Sequence, residues 1–421
     1  MNIIKLDDFP LNPVSGQIYE IIPDKTKIVA STNRLFNKYP TRYISAVPRF
    51  AINAYSKPGD YILDPFCGSG TTAIEAMLLG RNAVSIDIDP FARLLISVKT
   101  AKYSEEDISI LDGIVGKLSK MNPTEIAIEE VPAIPNIEKW FCDKSILWLS
   151  NFKREIKILC KGNVKIQNYL YVVLAGIIRK VSNADEVSPK PYVSTKYPKI
   201  PADAYELFFK TESMYREAII DFSSVTEKFE NESIILESND ARAVDGDYKI
   251  DLAVTSPPYI NAYDYVRSLR FEDVWLDLAD EDQLRQNRKS YIGTENAGAF
   301  HKSLEYTSHS TTLGPIVDKI RDVDAKRASV VETYFEDMAI NMISVREKLK
   351  KGGVYAIVVG DSKIRNQDIP TGKILAEIAE KNGYTFELSF KYVIRDRYLH
   401  IPRGNRGGII KYDEIVVLRK V

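Results

Sequence analysis

The stretch between positions 61 and 87 limits the folds open to this chain more than any other. An apolar run, Tyr61-Ile62-Leu63, leads into Asp64-Pro65-Phe66-Cys67-Gly68-Ser69-Gly70-Thr71-Thr72. A helical pattern continues over 73–79 and stops at Gly80, and a second apolar run at 83–86 ends on Asp87. Strand, glycine-rich turn, helix, strand and acid in that order form the opening βαβ unit of a doubly wound sheet, whose ligands collect beyond the carboxyl ends of the strands. Glycines in the turn let the backbone approach a ligand closely, and the helix after it presents unpaired amides.

The alternation of strand and helix can be followed through much of the chain. Positions 41–55 (TRYISAVPRFAINAY) place apolar residues at helical spacing before a SKPGD turn, which predicts a helix leading into the first strand. From about 103 to 230 the pattern is mostly helical, with loops at VPAIPN and SPKPYVSTKYPKIP, and the alternation is suspended. It resumes at 233–236, with Asn239-Asp240-Ala241-Arg242 after it, and at 252–254, which runs into Thr255-Ser256-Pro257-Pro258-Tyr259. Positions 280–330 show little apolar periodicity and read as a long loop or small subdomain. A helix over 330–349, a strand at 354–359, a helix near 374–381 and strands at 386–393 and 414–418 complete the pattern, the last two as a closing antiparallel pair. The expected fold is α/β, a Rossmann-like doubly wound sheet with that closing pair and a mostly helical insertion. Positions 1–102, 231–279 and 331–421 then make up the sheet domain, 103–230 the helical insertion and 280–330 a loop-rich insert.

With 421 residues, 45% of them hydrophobic, the chain can bury a large core and still carry an insert. Lys and Arg total 57 against 58 for Asp and Glu, so any basic surface must be local. The start, MNIIKLDDFPLNP, lacks the apolar run of a secretion signal, and no apolar stretch is long enough to span a bilayer; a cytoplasmic location without membrane contact is expected. Cys67, Cys142 and Cys160 are far apart and the histidines are His301, His309 and His400, so neither a disulfide framework nor a metal site is expected. Cys67 reads as a small apolar spacer.

Two constellations carry chemistry. Gly68, Gly70 and Ala73 satisfy G-x-G-x-x-A with Asp87 where a ribose-binding acid belongs, which keeps a nicotinamide dinucleotide site in view. The run 255–259 comes directly after an apolar strand and so lies at the carboxyl edge of the sheet. Its two prolines cannot donate hydrogen bonds, and their fixed φ angles hold carbonyl groups toward a ligand. That suits an amine substrate: an exocyclic amine is a weak nucleophile because its lone pair is delocalised into its ring, and two acceptors holding its hydrogens favour attack, for which the Ser256 hydroxyl and Pro257 carbonyl are the candidates. Tyr259 offers an aromatic face on which a planar ring can stack.

DPFCGSGTT at 64–72 resembles the D-P-F-x-G-S-G-T-T signature of the amino-methylating DNA methyltransferases, and TSPPY at 255–259 resembles the form carried by their cytosine-N4 members, whereas [D/N]-P-P-[Y/F] marks mostly adenine-N6 members. The stretch from Asn261-Ala262-Tyr263-Asp264-Tyr265-Val266-Arg267 to Trp275 is also similar to the segment downstream of that motif in cytosine-N4 members. Thr41-Arg42-Tyr43 resembles the N-terminal helix segment that packs over the methionine part of the cofactor, with a plain structural helix as the other reading. The resemblance covers about 40–100, 233–278 and 345–420 and leaves out the inserts. The cofactor motif precedes the catalytic one, the reverse of many members, which circular permutation explains.

The resemblance implies S-adenosylmethionine as cofactor, held by Asp64, Pro65, Phe66, Gly68, Ser69, Gly70, Thr71 and Thr72, with Asp87 and Ile88 at the ribose and Asp240 and Ala241 at the adenine. It implies transfer to cytosine N4 in double-stranded DNA through Ser256, Pro257, Pro258 and Tyr259, in a restriction-modification setting with a separately acting endonuclease. No Pro-Cys dipeptide occurs, so cytosine C5 chemistry through a covalent thiolate adduct is not expected. Adenine-N6 methylation, RNA guanine-N2 methylation, a nicotinamide-dependent oxidoreductase and a catalytically inactive nucleic-acid-binding protein remain the alternatives. Arg285, Arg288 and Lys289, Arg395 and Arg397, and Arg403 and Arg406 beside Gly404, Gly407 and Gly408 are candidates for phosphate contacts.

Overall fold

The computed structural model describes residues 3–22, 31–36, 39–188, 190–260, 264–295, 305–395 and 411–421. Two short strands, β1 (Ile3–Leu6) and β2 (Ile18–Ile21), precede helix α1 (Ala46–Tyr55). The first βαβ unit is β3 (Tyr61–Asp64), α2 (Thr71–Leu78) and β4 (Asn82–Ser85), continued by α3 (Pro90–Lys99). Five helices come next: α4 (Glu105–Leu118), α5 (Ile137–Trp140), α6 (Asp143–Leu159), α7 (Val164–Val181) and α8 (Ala204–Thr226). The sheet resumes with β5 (Ser233–Ile235) and β6 (Ile250–Thr255), then α9 (Tyr265–Trp275), α10 (Glu281–Asn287), α11 (Leu313–Arg321) and α12 (Ala325–Lys348). Strand β7 (Leu349–Gly360), a hairpin of β8 (Ser362–Ile364) and β9 (Gln367–Ile369), α13 (Thr371–Lys381), β10 (Tyr384–Val393) and β11 (Tyr412–Lys420) complete it.

The main sheet has nine strands in the order β1-β2-β10-β11-β7-β6-β3-β4-β5. Its centre is parallel, β7 with β6, β6 with β3, β3 with β4 and β4 with β5, and β11 lies antiparallel between β7 and β10. Leaving β3, the chain builds β4 and β5 on one side and returns to β6 on the other, so the switch point of the sheet lies between the carboxyl ends of β3 and β6. Alternating side chains feed two cores. Ile62, Leu252, Val254, Ala356 and Val358 face α1 and α2, while Leu63, Ala253, Tyr355, Ile357 and Val359 face α12 and α13. The helices at 105–226 make a third core together with α3 and α9, with Phe152 stacked on Phe208 at 4.2 Å and Trp275 buried against Phe141.

The structure departs from the sequence expectation in four places. The helix expected over 41–55 starts only at Ala46, and Thr41 has a φ of 52°, which a helix cannot accommodate. The antiparallel pair β10/β11 does not end the sheet, because β2 pairs parallel with β10 and β1 with β2. The stretch 280–330 is not loop throughout: α10 opens with a capping box at Asp280 and Gln283, and α11 buries Leu313, Val317 and Ile320. The hairpin of β8 and β9 went unforeseen. No helix among the described residues is long and apolar enough to cross a membrane.

Candidate active site

At the switch point the carboxyl ends of β3, β4 and β6 open into a cleft. The turn after β3 is shaped from beneath by Asp64. Its buried carboxylate accepts from the Phe66 amide at 3.1 Å, the Thr72 hydroxyl at 2.5 Å and the Thr255 hydroxyl at 2.6 Å. The last of these bonds crosses from β6 to β3 and ties the two motifs together. Burial pushes the Asp64 carboxyl up to about 6, against the pull of the Thr255 and Thr72 hydrogen bonds. The Tyr43 hydroxyl also bonds Thr72.

Two glycines in the turn are there for geometric reasons. Gly68 has a φ of 49°, and a Cβ on it would lie 3.2 Å from the Tyr39 ring. Gly70 has a φ of 85° where it caps α2, and its Cβ would lie 2.9 Å from Ile96 Cγ1. The Gly68 amide donates to Asp87 Oδ2 at 2.7 Å, and the Asp89 amide to Asp87 Oδ1 at 2.9 Å. Asp87 thus locks the turn to the end of β4 while lining the cleft. Lys99, wholly buried in the last turn of α3, donates to the Ser69 carbonyl at 3.0 Å, and burial together with the nearby Arg42 drives its pKa far down.

Of the residues expected at the cofactor, Pro65, Phe66, Gly68, Ser69, Thr71, Asp87, Ile88, Asp240 and Ala241 line this cleft. Asp64 and Thr72 lie beneath the turn and hold its shape, and Gly70 packs against α3. Asp240 is gripped by Arg242 at 2.8 Å, which also reaches Asp337 at 2.8 Å and the Ser290 carbonyl at 3.0 Å. Asp89 caps α3 by accepting from the Ala92 amide at 3.0 Å and takes the Tyr291 hydroxyl at 3.1 Å. Burial, then the neighbouring Asp87, raises its carboxyl to about 7.

Ser256 and Pro258 line the same cleft, and Pro257 is buried behind them. Tyr259 is half-buried, its hydroxyl donating to Asp413 Oδ1 on β11 at 2.7 Å, while Tyr392 donates to Asp413 Oδ2 at 3.0 Å. The Tyr259 hydroxyl is therefore held by β11, and Tyr259 is not among the residues that line the cleft. Thr41, Arg42 and Tyr43 do line the cleft, though as an irregular segment rather than a helix. Thr41 shares a 2.5 Å hydrogen bond with Tyr265, whose ring lies 6.5 Å from that of Tyr291 at 19°.

Arg285 is exposed and pairs with Asp282 at 3.1 Å, Lys289 is exposed, and Arg288 binds Asp264, the cap of α9, at 2.6 Å. Asn261, Ala262, Tyr263, Arg397, Arg403 and Arg406 lie outside the described residues. Among the described residues no group of three or more His, Cys, Asp or Glu side chains is placed to hold a metal ion, and all three cysteines are free.

Sequence reasoning missed Tyr39, Lys99, Arg242, Tyr265, Tyr291 and Asp413. Arg242 stands two positions after a named acid and Tyr265 within the stretch compared with cytosine-N4 members, so both were within sight. Tyr291 and Asp413 reach the site across 202 and 154 positions, and no local pattern announces them.

Residues 13–97 match a family model described as DNA methylase, of the N6/N4 type. The Type II methyltransferase M.BsoBI of Geobacillus stearothermophilus is 24% identical over 77% of this chain and 73% of its own length. The Type II methyltransferase M.MvaI of Kocuria varians is 25% identical over 85% of this chain and 84% of its own. M.MjaII of Methanocaldococcus jannaschii is 28% identical over 53% of this chain and 42% of its own.

Proposed function

We propose that this chain, which is similar to Type II DNA methyltransferases along most of its length and matches the N6/N4 DNA methylase model over 13–97, is an amino-methylating DNA methyltransferase that transfers a methyl group from S-adenosylmethionine to the N4 amine of cytosine in double-stranded DNA. The observation that carries the reading is the convergence of Ser256 and Pro258 with Gly68, Asp87 and Asp240 in one cleft. The donor set suits the cofactor. Asp87 and Asp240 can accept from hydroxyls and an amine, Arg42 brings a positive charge to the cleft lining, and Gly68, at a φ of 49°, lets the turn lie close to the Tyr39 ring. When bound, S-adenosylmethionine supplies an electrophilic methyl group on a sulfonium.

Each part of the reaction then falls to a residue of this chain. Asp87 accepts from ribose hydroxyls, and Asp240, fixed by Arg242, which Asp337 holds in turn, accepts from the adenine amine. The Ser256 hydroxyl and the Pro257 carbonyl accept the two hydrogens of the target amine and aim its lone pair into the cleft. Tyr259, its hydroxyl anchored on Asp413, gives the extruded base a fixed face to stack on. The proton that the methylated amine must shed passes to solvent through the open cleft after transfer, and no cysteine adduct is needed.

Since the relatives are named as Type II methyltransferases, we place the protein in a restriction-modification setting, acting apart from any endonuclease. The test is transfer of labelled methyl from S-adenosylmethionine to unmethylated duplex DNA. Label in DNA supports the reading; label in RNA alone, or none while cofactor binds, contradicts it.

A further inference from the structure

The segment between α7 and α8, 182–203, contains no helix or strand among its described residues. Stretches this long without secondary structure inside a folded domain are uncommon and usually functional. This one is built to a fixed shape. Arg179, nearly buried at the end of α7, donates to the Asp185 carbonyl at 2.8 Å and the Ser188 carbonyl at 2.5 Å. The Asp185 carboxylate accepts from the Val187 and Ser188 amides at 2.9 and 2.7 Å, and the Asp185 amide reaches the Tyr192 carbonyl at 2.9 Å. Lys199 returns to the Arg179 carbonyl at 2.8 Å and pairs with Glu186 at 3.0 Å.

With its polar anchors turned inward, the loop shows solvent its apolar side chains. Ile200 is 91% exposed, Val187 86%, Tyr197 74% and Tyr192 46%. Several large apolar side chains exposed along one hydrogen-bonded loop mark a contact surface, since each keeps water against surface it would otherwise bury. The cations beside them are available too: Lys190 and Lys196 are exposed and form no ion pair among the described residues, and Lys196 lies over the Tyr197 ring at 5.3 Å.

The loop also stands near the active site. Glu295 is held below the usual carboxylate range by its hydrogen bond to Arg327 and by the charges of Arg327, Lys190 and Lys326. In the loop itself the Asn183 amide donates to the Trp140 carbonyl at 2.7 Å, and the Trp140 ring lies 5.3 Å from Phe271 of α9, the helix whose first residue, Tyr265, lines the cleft.

We infer that the loop at 182–203 is a DNA-reading surface, with Lys190 and Lys196 on the phosphates and Tyr197 and Ile200 on the bases next to the target. The inference rests on the DNA methyltransferase reading and deepens it by naming the element that meets the substrate. Exposed lysines suit a polyanion, and tyrosine and isoleucine suit the apolar features of base edges and the gap left by an extruded base.

The test compares wild type with Tyr197→Ala/Ile200→Ala and Lys190→Ala/Lys196→Ala in the full chain. Fluorescence anisotropy follows DNA binding and calorimetry follows S-adenosylmethionine binding. All four side chains are exposed, so thermal midpoints should stay put. The first variant is expected to lose about tenfold or more in affinity for methylatable DNA, with little change on unrelated DNA. The second is expected to weaken binding to every duplex and to reduce the salt slope by about 2. Unchanged DNA affinity and methylation in both variants, while the wild type methylates DNA, would overturn the inference and leave the parent reading standing. A concentration-dependent dimer of the wild type, abolished by the first variant without loss of DNA affinity, would overturn it in favour of a second copy. A wild type that binds no DNA would overturn both.

Discussion

The cleft and the 182–203 loop are built on opposite rules. In and around the cleft the acids are held by partners drawn from distant strands or neighbouring turns: the buried Asp64 by Thr255, the partly exposed Asp240 by Arg242, the buried Asp413 by Tyr259. In the loop the polar anchors are inside and the apolar side chains outside. A site that positions reacting atoms needs buried, over-determined polar contacts, because a buried group left unpaired costs about 1–3 kcal/mol and a paired one holds its neighbours to one geometry. A surface that waits for a large partner needs a fixed frame and uncovered apolar area. The difference predicts that substitutions in the cleft act on chemistry, cofactor and folding, whereas those in the loop act on DNA alone.

The largest effect should come from Ser256→Ala. Removing one acceptor for the target amine is expected to slow transfer by about a hundredfold, near 3 kcal/mol, while calorimetry shows cofactor affinity unchanged. Full turnover would break the assignment. Next, Asp87→Ala strands the amides of Gly68 and Asp89 and removes a cleft acid, so cofactor affinity should fall by about thirtyfold, near 2 kcal/mol. Gly70→Ala combines a positive φ with a 2.9 Å approach to Ile96, and should cost about 2 kcal/mol of stability, read as a lower unfolding midpoint.

A smaller effect should appear as a pH dependence. The Asp89 carboxyl is raised to about 7 in the folded protein, so the folded state keeps a proton that the unfolded chain has already released above about pH 4. Stability from this group is therefore greatest at low pH and declines as pH rises toward 7. Asp89→Asn keeps the cap on α3 without the titration, so its melting temperature should gain on the wild type between pH 5 and pH 8. A gap independent of pH would show that Asp89 is ionised throughout. The smallest change is expected for Tyr259→Phe, which loses one hydrogen bond to Asp413, about 1 kcal/mol, and should loosen binding of the target base more than binding of the cofactor.

The same contrast explains how much of the molecule is legible in its sequence. Gly68, Gly70, Asp87 and the 255–259 motif are legible because each demand is local: a glycine for a positive φ, an acid at a strand end, prolines where no amide may donate. The central strands are legible because they are buried and apolar. Strands β1 and β2 are not, since four-residue runs such as IIKL and IYEI carry too little pattern to declare a sheet edge. The helices within 280–330 were hidden by short length and mixed composition, although Asp280 and Gln283 already stand at capping-box spacing. The contacts from Tyr291 to Asp89 and from Tyr259 to Asp413 exist only once the chain is folded, and no spacing rule can foresee them.

The most direct measurement identifies the product nucleoside. Purified protein is incubated with unmethylated duplex DNA and labelled S-adenosylmethionine, the DNA is digested, and the labelled nucleoside is resolved by mass spectrometry. N4-methylcytosine is the expected product, lost in Ser256→Ala. N6-methyladenine would contradict the base assignment while leaving the cleft chemistry in place, and an unlabelled DNA pool with intact cofactor binding would contradict DNA methylation itself.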